Sequence, residues 1–301
     1  MAKSKAKRKK NNPKIAGICG AVIFIVFLIS AIARALGYDL EYELKKLLGF
    51  ESKYNDSVQV HFIDVGQGDC IFIETADGNM LIDCGEASEA DIVLNYLQNE
   101  NIKKLDYVLG THPHSDHMGG MSRIVENVEI GEFIMPHLPT TRYFESLLIA
   151  LDNADLDITE AETGDVISLG EAEVTLIAPN KENDNTNDYS VCAVLEHGKN
   201  SFIFTGDAER NGEKHFIDSG LLHKCTVYKA GHHGSSTSSS AEFLAEIQPE
   251  CGEGNSYGHP HDKALKRIGK YTAPQNIYRT DLCGSIVFES DGESLEITTE
   301  R

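Results

Sequence analysis

The stretch "GTHPHSDHMGG", residues 110–120, limits what this chain can become more than any other segment. His112, His114, Asp116 and His117 stand within six residues. Side chains two apart on an extended segment point to one side, so His112 and His114 can chelate a single ion. Asp116 and His117 lie a turn further on and can face a second ion beside the first. The segment follows the strand "KLDYVLGTH" and precedes the helix "MSRIVENV". A metal-binding strand-to-helix loop is therefore expected, supplying half of a two-metal site.

Three other positions suit the missing half. Asp207 ends the apolar strand "FIFTGD", where its two carboxylate oxygens could bridge two cations. His232 in "YKAGHHGS" lies just past another strand and is the expected ligand there, with the adjacent His233 as the alternative. Asp83 in "MLIDCG" is expected to accept a hydrogen bond from a ligand histidine instead of binding metal directly.

The surrounding pattern predicts an α/β domain over residues 57–301. "VQVHFIDVG" and "CIFIETADGNMLIDCG" read as strands, the latter folded at Asp77-Gly78, a strong hairpin signal. Ser88 is predicted to cap a helix with Asp91, burying Ile92, Val93, Tyr96 and Leu97. "AEVTLIAP", "YSVCAVLEH" and "NSFIFTGD" supply further strands, followed by helix "AERNGEKHFIDSG", strand "CTVYKAGHH" and helix "SSAEFLAEIQ". The short strands "NIYRTD", "GSIVFES" and "SLEITTE" close the chain. Two similar halves of alternating strands and helices predict two mixed sheets packed together with helices outside.

The N-terminus has a different character. Residues 1–14 carry seven Lys and Arg and no acid, and residues 15–33 carry no charge at all. An apolar run of that length predicts one transmembrane helix, and the basic flank predicts a cytoplasmic tail with the large domain extracytoplasmic. Cleavage after Ala31-Ile32-Ala33 would instead give a secreted protein. Residues 34–56 read as a juxtamembrane linker. Setting the seven tail positives aside leaves 20 basic residues against 47 acidic ones, a balance of about −27. Such a surface disfavours nucleic acid as a bulk partner, although it permits a small phosphate-directed metal site. Six cysteines outside the apolar run lack C-x-x-C spacing, which argues against a zinc ribbon and for buried free thiols.

Taken in order, "DVGQGD", "LIDCG", "THPHSDHMGG", "FTGD", "KAGHHGS" and "GNSYGHPH" resemble the metallo-β-lactamase superfamily. The branch is that of ComEC-type DNA-uptake hydrolase domains and phosphorylcholine esterases. The resemblance covers residues 57–301 and implies an αβ/βα sandwich holding two divalent metal ions, usually zinc and sometimes manganese. It implies His112, His114, Asp116, His117, Asp207 and His232 as metal ligands, with Asp116 and His259 in catalysis. Asp69, Asp83 and His233 are expected to support the ligands or the substrate. Asn187 and Ser190 occupy the region where many superfamily members carry a further histidine, and are expected to approach the site through oxygen atoms. His197 is read as a solvated turn residue.

Between Pro249 and the Gly-Asn-x-Tyr-Gly-His-Pro motif, only Glu250 and Cys251 stand where relatives carry a short apolar strand. A whole sheet strand is therefore expected to be missing. The expected activity is metal-dependent hydrolysis of a phosphodiester or related phosphate ester: nucleic acid, nucleotide or cell-envelope material. Hydrolysis of a lactone or β-lactam is the second enzymatic expectation. A membrane-tethered binding module without catalysis is the third, should the missing strand disable the pocket.

Overall fold

A computed structural model describes residues 57–137, 142–180, 183, 185–254 and 259–301. The apolar run at 15–33 and the linker at 34–56 lie outside these residues. Among those described, no helix is long and apolar enough to cross a membrane.

Strands β1 (Val58–Phe62), β2 (Ile71–Glu74), β3 (Asn79–Ile82), β4 (Lys104–Leu109), β5 (Glu129–Met135) and β6 (Ile158–Glu160) come first. Next are β7 (Val166–Leu169), β8 (Ala172–Ile177), β9 (Cys192–His197), β10 (Asn200–Phe204), β11 (Val227–Lys229), β12 (Cys251–Gly254) and β13 (Ile277–Arg279). Strands β14 (Ile286–Ser290) and β15 (Leu295–Thr299) return to the first sheet, whose order is β15-β14-β1-β2-β3-β4-β5-β6. The second sheet runs β13-β12-β11-β10-β9-β8-β7. In each sheet an antiparallel half gives way to a parallel half, at β3–β4 in the first and β10–β11 in the second.

Alternation along the strands builds the layers. Val60, Phe62, Ile71 and Ile73 face Leu195, Phe202 and Phe204 across the space between the sheets, while Phe72 and Ile203 point to the opposite faces. Helices α1 (Ala90–Asn99), α2 (Ser115–Met118), α3 (Met121–Asn127) and α4 (Arg142–Asn153) belong to the first half of the chain. Val93, Leu97, Ile124 and Leu151 from this group cover the outer face of the first sheet. Helices α5 (Arg210–Asp218), α6 (Ala241–Ile247), α7 (Asp262–Ile268) and α8 (Thr280–Cys283) follow. Phe216, Phe243 and Ile268 cover the second sheet in the same way. The result is the expected αβ/βα sandwich, with the Asp77-Gly78 hairpin closed by Thr75 N donating to Gly78 O.

Several local expectations are corrected. Ser88 does not cap α1: it sits in a short 3-10 turn, and its hydroxyl donates to Glu89. The helix starts at Ala90, so Ile92 turns outward and Ala90 joins the buried side with Val93 and Leu97. His197 is buried, with Nδ1 2.9 Å from Ser290 Oγ, because the hairpin after β9 folds under the β14–β15 turn. The C-terminal strand is present. Cys251–Gly254 forms it, in parallel register with β11 on one side and β13 on the other. Two flanking ladders give this short glycine-rich segment its hydrogen bonds, outweighing the poor strand preference of glycine. The premise for a disabled pocket therefore falls. The six described cysteines are free, as expected.

His61 on β1 is buried, with Nδ1 2.9 Å from Tyr96 Oη, and its burial pulls the imidazole down to about 4. The folded state holds it neutral, whereas the unfolded chain takes up a proton below about 6.5. Its stabilising contribution is therefore complete above pH 6.5 and is lost as pH falls toward 4. In chemical denaturation series across that window, the native protein should lose on the order of 3 kcal/mol more stability than His61→Gln. Equal losses in the two proteins would contradict this.

Candidate metal centre

The predicted site residues gather at one end of the sandwich, where loops leave the C-terminal ends of parallel strands, the usual place for ligands in such sheets. The loop after β4 brings His112, His114, Asp116 and His117; the turn after β10 brings Asp207; the turn after β11 brings His232 and His233. Asp69 and Asp83 come from the loops before β2 and after β3.

Two groups of ligand atoms overlap at Asp207. His112, His114 and Asp207 form one; Asp69, His117, Asp207 and His233 form the other, with the atoms of each group within 4.8 Å of one another. In the first, His112 Nε2 lies 3.1 Å from His114 Nδ1 and 3.9 Å from Asp207 Oδ2. In the second, His117 Nε2 lies 3.0 Å from Asp207 Oδ1 and 3.4 Å from His233 Nε2. His233 Nε2 is also 3.3 Å from Asp116 Oδ2 and 3.5 Å from Asp207 Oδ2.

His232 Nε2 reaches Asp207 Oδ2 at 3.6 Å, but its ring stands at the rim, with Nδ1 3.4 Å from Glu209 Oε1. Of the adjacent pair, His233 is the one inside the tight group. His259 stands alongside, its ring centroid 6.0 Å from that of His232 and 6.5 Å from that of His233.

Carboxylates behind the histidines fix which nitrogen faces inward. Asp83 Oδ2 is 2.7 Å from His117 Nδ1, and the same carboxylate accepts from Thr111 N at 2.8 Å and Thr111 Oγ1 at 2.6 Å. Asp69 Oδ1 lies 3.0 Å from His233 Nδ1 and 2.8 Å from the ammonium of Lys229. With each Nδ1 facing a carboxylate, the Nε2 atoms of His117 and His233 present lone pairs to the centre. Ser190 Oγ accepts from Asp207 N at 3.0 Å and so holds the aspartate's backbone; Asn187 meets Glu209 at 3.4 Å and keeps a buried Oδ1 without a partner.

Close packing of backbone keeps the loops in register. A side chain at Gly206, which has φ +49°, would stand 2.9 Å from both Ser190 Oγ and Thr111 Oγ1. One at Gly68, φ +124°, would stand 2.3 Å from Asp116 O.

The donor set fits divalent cations. Asp207 Oδ1 is buried without a hydrogen-bond donor and faces the lone-pair side of His117. Two acceptors in that relation call for positive charge between them. The electrostatics agree. Burial raises the Asp207 carboxyl, yet His117 and His233 hold it well below the usual carboxylate range. Burial likewise lowers His117, but Asp207 and Asp83 carry it well above the ordinary histidine value, so without a cation a proton on His117 supplies the positive charge the two carboxylates call for, and a bound cation would displace it. Burial, with His117 nearby, keeps His112 well below that value, and burial lowers His114 too, so both present neutral imidazoles suited to coordination.

Sequence reasoning missed Lys229 and Glu209. The signal for Lys229 was a lone lysine closing the apolar strand "VYK", where a buried ammonium needs a carboxylate. Glu209 lines a neighbouring cavity of about 400 Å³, together with Asn185, Asp188, Arg210, Asn211, Ser236 and Thr237.

The sequence profile of the metallo-beta-lactamase superfamily matches residues 63–253. Among curated proteins, ComE operon protein 3 of Bacillus subtilis is 27% identical over 297 residues, covering 90% of this chain and 35% of that protein. Competence protein ComA of Neisseria gonorrhoeae is 25% identical over 289 residues, covering 91% of this chain and 38% of that protein. The chain thus spans little more than a third of the length of these relatives. Among solved structures, the metallo-beta-lactamase fold protein YhfI from Bacillus subtilis superposes with a TM-score of 0.52 at 13% identity, over 74% of this chain and 96% of that one. That likeness concerns the fold alone.

Replacing Asp83 with Asn should weaken binding of a divalent cation about 10–100-fold. Competition against a chromogenic chelator measures it; an affinity equal to that of the native protein would remove Asp83 from the centre's support.

Proposed function

We propose, from the premise that the chain belongs to the metallo-β-lactamase superfamily and is a metallohydrolase, that its substrate is a phosphodiester or a related phosphate ester. The observation that carries this reading is Asp207, buried and shared by two ligand groups. Two cations held a few ångströms apart are the arrangement suited to in-line displacement at phosphorus. When bound, such cations lower the pKa of a coordinated water to about 7 and neutralise charge building on the phosphoryl oxygens.

The chain's own residues divide the work. His112, His114 and Asp207 would hold one cation, and His117, Asp207 and His233, with Asp116 beside His233, would hold the other. Zinc suits this mixture of imidazole and carboxylate best, with manganese as the alternative. Asp83 and Asp69 keep His117 and His233 in the tautomers that face inward. His232 stays at the rim beside Glu209, where it can meet the substrate. His259, lowered by burial and by the histidines around it, stands beside His232 and His233 as a neutral ring whose N–H can hydrogen-bond to the departing oxygen.

Two features favour phosphate over a lactone or β-lactam. Described residues 183 and 185–191 contain no histidine to complete a three-histidine set. The neighbouring cavity is lined by amide, hydroxyl and charged groups, not by the apolar surface an acyl chain would require. A nucleic acid, a nucleotide or a cell-envelope phosphodiester all satisfy the chemistry. The apolar run at 15–33 supports placing the domain outside a membrane, anchored by its N-terminus.

The test is a screen of protein loaded with Zn²⁺ or Mn²⁺ against bis(p-nitrophenyl) phosphate, single-stranded DNA, p-nitrophenyl phosphorylcholine and a lactone. Turnover of a phosphodiester should disappear with chelator, return with metal, and fall at least about 10³-fold in Asp207→Ala, roughly 4 kcal/mol of barrier. Hydrolysis of the lactone with every phosphodiester untouched would overturn the proposal.

A further inference from the structure

Beside His232 the structure holds a second polar feature, the cavity of about 400 Å³ introduced above. It adjoins the metal centre directly: Glu209 Oε1 and Thr237 Oγ1 each lie 3.4 Å from His232 Nδ1. Its walls are built firmly. On one side Asp188 Oδ1 accepts from Glu209 N at 2.9 Å and Gly212 N at 3.1 Å, fixing the backbone that carries Arg210. On the other, the run 235–240, "SSTSSS", is held from below. The buried Glu213 carboxylate accepts from Ser239 N and Ser240 N, and Arg267 donates to the carbonyls of Ser236, at 3.2 Å, and Ser239, at 2.6 Å. Those bonds leave the Ser236 and Thr237 side chains on the cavity wall.

Arg210 is exposed, and its guanidinium pairs with no carboxylate among the described residues. Asn211 and Ser236 add an amide and a hydroxyl. The cavity wall also carries the carboxylates of Asp188 and Glu209, so Arg210 is the one cationic side chain among its lining residues and the point at which an anion would be held. Arginine meets phosphate with two parallel hydrogen bonds, which gives orientation as well as attraction. The volume suits one nucleotide-sized group.

We propose that this cavity is a subsite for the phosphate that neighbours the scissile one, with Arg210 as its anion anchor; this rests on the phosphodiester reading above. The substrate class is then a phosphodiester bearing a further phosphate one unit away, and Arg210 is a specificity-determining residue.

The experiment compares metal-loaded protein on the dinucleotide TpT and on TpT carrying an added terminal phosphate at either end. One phosphorylated form should be turned over with kcat/KM at least about tenfold above TpT, the gain lying in KM. Arg210→Gln should bring that ratio to within about threefold and Arg210→Lys should keep part of it, whereas Arg123→Gln, whose guanidinium pairs with Asp91 elsewhere, should keep all of it. Calorimetric titration with thymidine 3′,5′-bisphosphate supplies a readout independent of turnover, and Arg210→Gln should weaken that binding at least about tenfold. A ratio near one in the native protein, or a ratio and a bisphosphate affinity unmoved by Arg210→Gln, overturns the subsite. Absent turnover on every diester, with bisphosphate binding still dependent on Arg210, overturns the reaction while supporting the anion anchor.

Discussion

A carboxylate buried among imidazoles is the constraint to which the rest of the molecule answers. Asp207 is almost wholly out of water, and ring nitrogens of His117, His233 and His112 stand 3.0, 3.5 and 3.9 Å from its oxygens. An uncompensated charge in such a place costs several kcal/mol. The site is stable as a folded object only because a second ring of groups sets its polarity: Asp83 and Thr111 behind His117, Asp69 and Lys229 behind His233, Ser190 behind Asp207 itself. These five partners come from four separate loops and the end of β11, and they can converge only because two sheets stack and present the same end.

The two layers explain what could be read in the sequence. Strands whose alternate residues go to different cores carry a period of two, and the hairpins and helices between them carry clear punctuation. The central strands and the sandwich were legible for that reason, and so was the gathering of His112, His114, His117 and Asp207 at one end, because these candidates sit in short motifs at strand ends. What was not legible depends on context. Strand β12 is Cys-Gly-Glu-Gly, a segment with no strand signature, whose ladder comes entirely from its neighbours. Within the unread span containing β5, β6, β7 and α4, strand β6 is only three residues long with none of them buried, so it carries no alternation. The burial of His197 is set by Ser290, 93 positions away in the chain.

Within the centre, adjacency in sequence hid a difference in space. His232 and His233 are neighbours with identical chemistry, and no pattern separates them. Both have φ near +50°, a left-handed conformation uncommon for any residue but glycine. Asp83 shares it at +56°. Strained backbone of this kind persists where surrounding contacts over-determine it, and it gathers at functional sites. Here it sends one imidazole inward toward Asp116 and His117 and leaves the next at the rim.

His112, His114 and His117 hang from the first sheet; Asp207, His232 and His233 hang from the second. The spacing between the groups is set by apolar packing of Phe62, Phe202, Phe204 and Phe288, an interface with little directional preference of its own. An ion seated between the groups is therefore a strut joining two layers that otherwise cohere by contact alone. Occupancy and unfolding become linked equilibria, so the domain's melting temperature should follow the free concentration of its metal.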